Sequence, residues 1–188
     1  MSENVSENAK TIGTPARIPV TVMVEGREGR VGQWVEEQWE AIAVVAGEDV
    51  RAKSASSATL IHEDDTCRRY LWTGLNLVLH RDACESYWYN LMSGKPYLFV
   101  ICHVDEYQSG VDSLKPMLVT ADQQEANGHM ETDDRVFSVP MPAQVHDWLE
   151  RFVVTHYVPA QKKKRKRRDW AKESEHDEAN RDEPPVHH

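Results

Sequence analysis

Apolar and polar residues alternate in RIPVTVMVE, which occupies positions 17–25 of the chain. Alternation with a period of two among β-branched residues predicts a strand that packs one face against a core. The apolar positions on that face are Ile18, Val20, Val22 and Val24. Residues 38–45 alternate in a similar way and predict a second strand, although a helix that begins at Trp34 is a competing interpretation. The inward positions of this second strand are Trp39, Ala41, Ala43 and Val45.

A glycine-rich segment, GREGRVG, follows the first strand at positions 26–32. Phosphate-binding loops also begin with glycines after a strand, but this segment has no Gly-Lys-Ser/Thr and no helix directly behind it. We therefore predict a turn between two strands. The small polar run KSASSA at 53–58 predicts a loop.

A hairpin is predicted from the runs 58–62 and 67–73, which are joined by a turn containing the two aspartates at 64–65. The Thr-Gly dipeptide at 73–74 marks either a bulge or a turn. Residues 75–80 then alternate again, which predicts a further strand. Its buried positions are Leu75, Leu77 and Leu79.

A helix is predicted in the middle of the chain, because Asp82 and Glu85 have the spacing of a capping box. Its apolar stripe is Cys84, Tyr87, Trp88 and Leu91. The glycine and proline of MSGKP at 92–96 end this helix. The apolar run YLFVICHV at 97–104 then predicts a central strand that is covered on both faces.

The last third of the chain predicts two strands and two helices. PMLVT at 116–120 is a strand, and the spacing of Thr120 and Gln123 opens a short helix over 121–127. VFSVPMP at 136–142 is extended, and its closing proline sits in the first turn of a last helix, where its missing N–H costs nothing. The stripe of that helix is Val145, Trp148, Leu149, Phe152, Val153 and Tyr157.

The order of these elements never settles into a strand–helix repeat. It predicts an α+β fold with a mainly antiparallel sheet and two to three packed helices. The 188 residues fit one domain. We expect a disordered N-terminal tail at 1–16, a single α+β domain at 17–159 and a disordered charged tail at 160–188.

Seven consecutive cations interrupt this acidic chain, whose formal net charge is -9. This basic block comprises Lys162, Lys163, Lys164, Arg165, Lys166, Arg167 and Arg168. A run of like charges is typical of an interaction tail, and the alternative is an inert solubilising tail. Specific DNA recognition requires a groove-binding helix or stacking aromatics, and only Trp170 lies nearby. We therefore expect no specific nucleic-acid binding.

We expect the protein to be cytoplasmic. Its polar start lacks the apolar stretch of a secretory signal, and no segment is long and apolar enough to cross a membrane. The three cysteines, Cys67, Cys84 and Cys102, include no C-x-x-C pair, so we interpret them as free thiols.

No residue pattern predicts a catalytic or metal site. The most plausible metal ligands are His80, Cys84, Cys102 and His103. Adjacent residues of a strand point to opposite faces, so Cys102 and His103 are poorly placed to share an ion. No thiol-protease or nucleophile-elbow signature is present for a Cys-His pair. We therefore predict no metal, no cofactor and no catalytic residues.

Three segments together resemble a bacterial domain family of unknown function. They are IPVTVMVE followed by EEQWEAIAVVAG, then LVLHRDACESYWYNLMSGKPYLFVICHV, and finally VPMPAQVHDWLERFVVTHY followed by the basic block. The resemblance covers about 17–168, and it rests on the order of the segments more than on any one of them. Genes of this family tend to neighbour those of molybdenum- or tungsten-dependent formate dehydrogenases.

The resemblance implies a non-enzymatic accessory or adaptor protein with a protein partner in a formate dehydrogenase system. The alternatives are a small enzyme of unknown reaction, or a nucleic-acid- or membrane-binding module that uses the basic block. Partner binding is assigned to Tyr89 and Asn90 of the predicted helix and to the basic block.

If the basic block is a docking arm, its contribution to binding is electrostatic. Replacing residues 162–168 with neutral residues should weaken partner binding at low salt, and the difference should shrink as the Debye length falls below ~8 Å. Scrambling Lys and Arg within the block should leave the affinity unchanged, because a flexible arm offers no fixed geometry. Affinity measured across ionic strengths checks this, and tight sequence-selective DNA binding at physiological salt would contradict it.

Overall fold

Seven strands and three helices are present in the residues that this computed structural model describes, which are 16–31, 34–47 and 57–158. The strands are β1 (Ala16–Val31), β2 (Trp34–Ala46), β3 (Ser57–Glu63), β4 (Cys67–Leu79), β5 (Tyr97–Val104), β6 (Leu114–Thr120) and β7 (Arg135–Pro140). The helices are α1 (Cys84–Met92), α2 (Gln123–Met130) and α3 (Ala143–His156), and a 3₁₀ turn (Gly110–Ser113) precedes β6.

The tails expected at 1–16 and 160–188 lie outside the described residues, with one exception. Ala16 opens β1 and pairs with Leu79 at the end of β4. The described part of β1 therefore includes the last residue of the predicted N-terminal tail.

The sheet is organised around β4. One edge of β4 pairs along its length with β1, and the other edge pairs first with β3 and then, at Leu77, with β6. The resulting strand order is β2-β1-β4-β6-β5-β7, with β3 beside β4 and off this path. The β4–β6 pairing is parallel, and the other pairings among the described strands are antiparallel.

The two terminal strands of this order, β2 and β7, contact each other, so the sheet curls towards a barrel. Strand twist makes such curling favourable in long antiparallel strands. The predicted combination of a mainly antiparallel sheet with two to three helices is confirmed in its coarse form. The mixed pairing and the barrel-like curl were not predicted, because they depend on which distant strands become neighbours.

The main core lies between the inner face of the sheet and helices α1 and α3. On β1 the valines at positions 20, 22 and 24 are fully buried, as the alternation predicts. Three leucines of β4 and the stripe of α3 also belong to this core. The members predicted there and found buried are Leu75, Leu77, Leu79, Val145, Leu149 and Val153.

β5 is a central strand covered on both faces, as predicted. Its residues 98–102 are all buried, with β6 on one side and β7 on the other. Leu98, Val100 and Cys102 belong to the main core. The alternate residues, Phe99 and Ile101, pack with Ala126 of α2 in a second, smaller cluster on the opposite face.

Two β-bulges change which residues face the core. The register of β1 and β2 shifts so that Ile42 has no partner, and the alternation reverses after it. Val44 is therefore buried and Val45 is 46% exposed, so the predicted inward position of Val45 is wrong. The competing helix from Trp34 is also wrong, because this segment is β2.

The second bulge lies in β4, where Thr73 and Gly74 together oppose Thr21 of β1. Gly74 has a φ of 88°, a left-handed conformation that suits glycine in a bulge. Of the two predicted alternatives at 73–74 the bulge is the one observed, and it joins the two predicted runs into one strand, β4.

The glycine-rich turn was placed too early. Gly26 and Gly29 both lie within β1, and residues 32–33 between β1 and β2 are outside the described residues. Gly26 is buried because it pairs with Trp39, whose ring occupies the space where a side chain would stand. The predicted loop at 53–58 is also too long, because Ser57 already belongs to β3.

All three helices begin differently from the predicted caps. Ala83 is the N-cap of α1, and no side chain bonds there, so the capping box of Asp82 and Glu85 is wrong. The turn before α1 is closed instead by a bond from the Cys84 N–H to the carbonyl of Arg81.

The first turn of α2 is capped by Asp122, which accepts a bond from the Gln124 N–H. The predicted cap, Thr120, lies two residues before Asp122, and its hydroxyl accepts a bond from the Asp122 N–H. Pro142 is the N-cap of α3 rather than a residue of its first turn. Side-chain spacing alone thus located each helix to within a few residues but not its cap.

A buried carboxylate lies on the outer side of β1. Glu25 is 1% exposed, and its two oxygens accept bonds from the guanidinium groups of Arg27 and Arg69. Burial raises the pKa of Glu25, but the two arginines outweigh it and hold the pKa below its ordinary value. The Glu25–Arg69 ion pair thereby links β1 to β4 in addition to their backbone bonds, whereas Arg27 lies on β1 itself.

Replacing Gly26 with Ala should destabilise the protein by about 1–3 kcal/mol, because the new Cβ would lie 2.6 Å from carbons of the Trp39 ring. Gly128→Ala is the matched control, since it lies in α2 with nothing near its Cβ position and should be neutral or stabilising by up to about 1 kcal/mol. Chemical denaturation measures both. Equal stabilities for the two variants would contradict this account of Gly26.

Candidate functional site

An exposed aromatic surface lies where α1 meets the end of α3. We define the α1–α3 surface as Trp88, Tyr89, Met92 and Tyr157. The Trp88 ring lies 5.0 Å from that of Tyr89 and 6.0 Å from that of Tyr157, measured between centroids. Met92 follows Tyr89 by three residues, so the two side chains are neighbours on the helix. Tyr89 is 51% exposed and Met92 67% exposed.

The packing beneath this surface holds it in place. Phe152 of α3 contacts the ring of Tyr87, with centroids 6.4 Å apart, and the ring of His156, with centroids 4.6 Å apart. Partial burial raises the pKa of Tyr157, and the neighbouring Glu85 and Tyr89 raise it further. The phenol of Tyr157 therefore stays protonated and can donate a hydrogen bond at physiological pH.

Asn90, the second predicted partner-binding residue of this helix, is 6% exposed. Its amide nitrogen donates to the carbonyls of Tyr97 and Ala121, at 2.8 and 2.9 Å. Its amide oxygen accepts a bond from the Tyr97 N–H at 3.0 Å. The side chain thus fastens the end of α1 to the start of β5 and the end of β6. Of the two predicted residues, Tyr89 is the one that faces outward.

The basic block at 162–168 lies outside the described residues. Its predicted role in partner binding stays a prediction.

The cysteines and histidines considered as metal ligands do not converge. Cys102 is fully buried while its neighbour His103 is exposed, so the two point to opposite faces as predicted. The Cys84 thiol lies against the His80 carbonyl, 3.9 Å away. Burial raises the pKa of the Cys84 thiol, and it raises that of Cys102 to about 12. Both thiols are therefore protonated and unreactive at neutral pH.

An acidic cleft of about 380 Å³ lies between the first turns of α1 and α2. Its carboxylates are Asp82, Glu85, Asp122 and Glu125. Tyr87 lines the same cleft, where its hydroxyl accepts a bond from the His80 N–H, and burial raises its pKa to about 12. Sequence reasoning missed this cleft, because its carboxylates come from the starts of two helices about 40 residues apart in the chain.

A second cleft, of about 490 Å³, follows the seam where β2 approaches β7. Its lining is mixed, with Arg27, Glu37, Glu40 and Arg135 around the apolar Trp39 and Phe137. The indole N–H of Trp39 has no hydrogen-bond partner among the described residues. The two arginines and two glutamates balance in charge, whereas the charged residues of the first cleft are all acidic.

The described chain is thus a small α+β domain that carries an exposed aromatic surface and two clefts. It belongs to the family described as "Protein of unknown function (DUF3305)", which matches residues 19–166. The family expected from the three sequence segments is confirmed in this coarse form. Neither the curated proteins nor the solved structures gave a match to the chain. Among the described residues, no helix has the length and apolar character to cross a membrane.

Replacing Asn90 with Ala should destabilise the fold by more than about 1 kcal/mol. Leaving one buried backbone group unsatisfied costs about 1–3 kcal/mol, and Asn90 bonds to three such groups. Asn90→Asp should also destabilise it, because a carboxylate cannot donate to the carbonyls of Tyr97 and Ala121. Asn76→Ala is the matched control, since Asn76 is exposed on β4 and its loss should stay within about 0.5 kcal/mol. Thermal or chemical unfolding measures all three, and an Asn90→Ala protein as stable as the control would refute the anchoring role.

Proposed function

We propose that the protein is a non-enzymatic accessory or adaptor protein that associates with a formate dehydrogenase system. We further propose that it contacts its protein partner through the α1–α3 surface. The observation that carries the second part is the exposure of Tyr89 and Met92 beside the partly buried rings of Trp88 and Tyr157.

The composition of the α1–α3 surface supports protein binding over other roles. Tyrosine, tryptophan and methionine are enriched in the centres of protein–protein interfaces, where they bury a large area at low entropic cost. Trp88 is already held by its contacts with Tyr89 and Tyr157. A partner would therefore meet a pre-ordered surface, and less conformational entropy would be lost on binding.

The association with formate dehydrogenase rests on the sequence resemblance. The three segments that carry it include the whole of α1 and the whole of α3, so the α1–α3 surface lies within the part of the chain that resembles the family. The family match over residues 19–166 supports the assignment to a domain family and adds no activity.

Affinity purification of the full-length protein from its native host, followed by mass spectrometry, tests the association. We expect formate dehydrogenase components to co-purify. The double variant Tyr89→Ala and Met92→Ala should reduce their recovery by at least about tenfold, as expected for the loss of a binding hot spot. Tyr107→Ala is the matched control, because Tyr107 is 97% exposed on the loop after β5, and its loss should leave recovery unchanged.

The two parts of the proposal can fail separately. Absence of formate dehydrogenase components from the wild-type sample contradicts the association. Their equal recovery with the α1–α3 variant and the Tyr107 control contradicts the assigned surface and leaves the association standing. The melting temperature of each variant should match the wild type, which excludes unfolding as the cause of lost binding.

A further inference from the structure

The hairpin turn between β3 and β4 gathers three side chains of the kind that bind metals. Nε2 of His62 lies 2.9 Å from Oδ2 of Asp64, and Sγ of Cys67 lies 3.8 Å from the same oxygen. The three donor atoms all lie within 4.8 Å of one another. A single ion with bonds of about 2.0–2.3 Å fits among donors at such separations after small side-chain movements.

The carboxylate of Asp64 is held in a fixed orientation. Its Oδ1 accepts bonds from the N–H groups of Thr66 and Cys67, both at 2.8 Å, and from the Thr66 hydroxyl at 2.7 Å. These bonds leave Oδ2 directed at His62 and Cys67. Outer hydrogen bonds of this kind orient metal-ligating carboxylates in proteins.

A bulge in β3 sets the direction of His62. Leu60 pairs with Tyr70 and His62 pairs with Arg69, so Ile61 has no partner on β4. Bulges often re-aim a side chain beside a functional site. The irregularity therefore brings His62 to the same side of the hairpin as the other two donors.

The charges around the turn permit a cation. Arg27 pairs with Cys67 across β1 and β4, and Arg69 pairs with His62 across β3 and β4. Both are bonded to the buried Glu25, whose single negative charge offsets one of their two positive charges. The third arginine beside the turn, Arg68, is bonded to Glu37. The exposed carboxylates of Glu63 and Asp65 flank the turn on the solvent side.

We propose that His62, Asp64 and Cys67 form a binding site for one transition-metal ion of the Zn²⁺ class. Imidazole, carboxylate and thiolate together favour Zn²⁺, Co²⁺ or Cu over Mg²⁺ and Ca²⁺, which prefer oxygen ligands alone. Binding removes the proton from the Cys67 thiol and leaves His62 neutral. The side chains of His62 and Asp64 are 44% and 46% exposed, so a fourth position is open to water or to a partner's side chain.

Co²⁺ is the probe, because a thiolate ligand gives it a charge-transfer absorption that nitrogen and oxygen ligands do not. We expect the full-length protein, titrated with Co²⁺ under reducing conditions, to develop this band with a stoichiometry of one. Added Zn²⁺ should displace the Co²⁺ and abolish the band. Cys67→Ser should remove it, and His62→Gln should weaken Zn²⁺ affinity at least about tenfold.

His146→Gln is the matched control. His146, Asp147 and Glu150 form the other cluster of metal-binding side chains among the described residues, on α3, and that cluster contains no thiol. This variant should leave the charge-transfer band and the Zn²⁺ affinity unchanged. His62 and Asp64 are exposed, so the His62→Gln protein should also keep its wild-type melting temperature in the absence of metal.

Three results would overturn the site. They are no uptake of Co²⁺ or Zn²⁺, uptake without a thiolate band, and a thiolate band that survives Cys67→Ser. An equal loss of affinity in the His146→Gln and His62→Gln proteins would overturn it as well. The proposal is independent of any role in a formate dehydrogenase system, because its readouts use the purified protein and metal alone.

Discussion

The fold depends on backbone hydrogen bonding along both edges of β4. A strand buried in a sheet cannot leave its N–H and C=O groups unpaired. Along one edge β1 satisfies them, and along the other β3 and then β6 do so in turn. The exchange from β3 to β6 brings the second half of the chain into the sheet, because β5 and β7 follow from β6. The bulge at Gly74 shifts the register of β1 and β4 by one residue, and the two strands are paired on either side of it.

The contacts of β1 with its neighbours explain which side chains fit at two of its positions, 25 and 26. Gly26 is a glycine because the Trp39 ring lies where a side chain would be, and that ring contacts Tyr70 at a centroid distance of 5.7 Å. Glu25, one residue earlier, faces the other way and is covered by Arg27 and Arg69. Adjacent positions of one strand thus meet an aromatic cluster on one face and an ion-pair cluster on the other.

The two proposed binding sites lie at opposite ends of β4. Cys67 begins the strand and contributes to the proposed metal site, whereas Leu79 ends it and leads into α1 and the α1–α3 surface. A strand of this length spans about 40 Å. Substitutions at one site are therefore expected to leave the other unaffected, since residues this far apart with no shared partners are usually independent. Each site can be assigned or rejected without reference to the other.

The sequence by itself determined the elements whose patterns are local. The alternation around Val22 and the helical stripe around Leu149 each depend on a few consecutive residues, and both were predicted with the correct buried faces. Tertiary structure decided what depends on pairing between distant residues. The bulge that exposes Val45 arises from the register of β1 with β2, which no window of β2 alone contains.

In the candidate sites, too, some features follow from a local sequence pattern and others depend on contacts between distant residues. The exposure of Tyr89 follows from its position off the apolar stripe of α1, which a helical pattern reveals. The role of Asn90 could not be predicted, because its partners, Tyr97 and Ala121, come from two other elements. The convergence of His62 and Cys67 on one carboxylate also required the hairpin and its bulge. Periodicity reports the surroundings of a residue along one element, whereas hydrogen bonding and ligation require atoms to meet in space, and only the folded chain sets those distances.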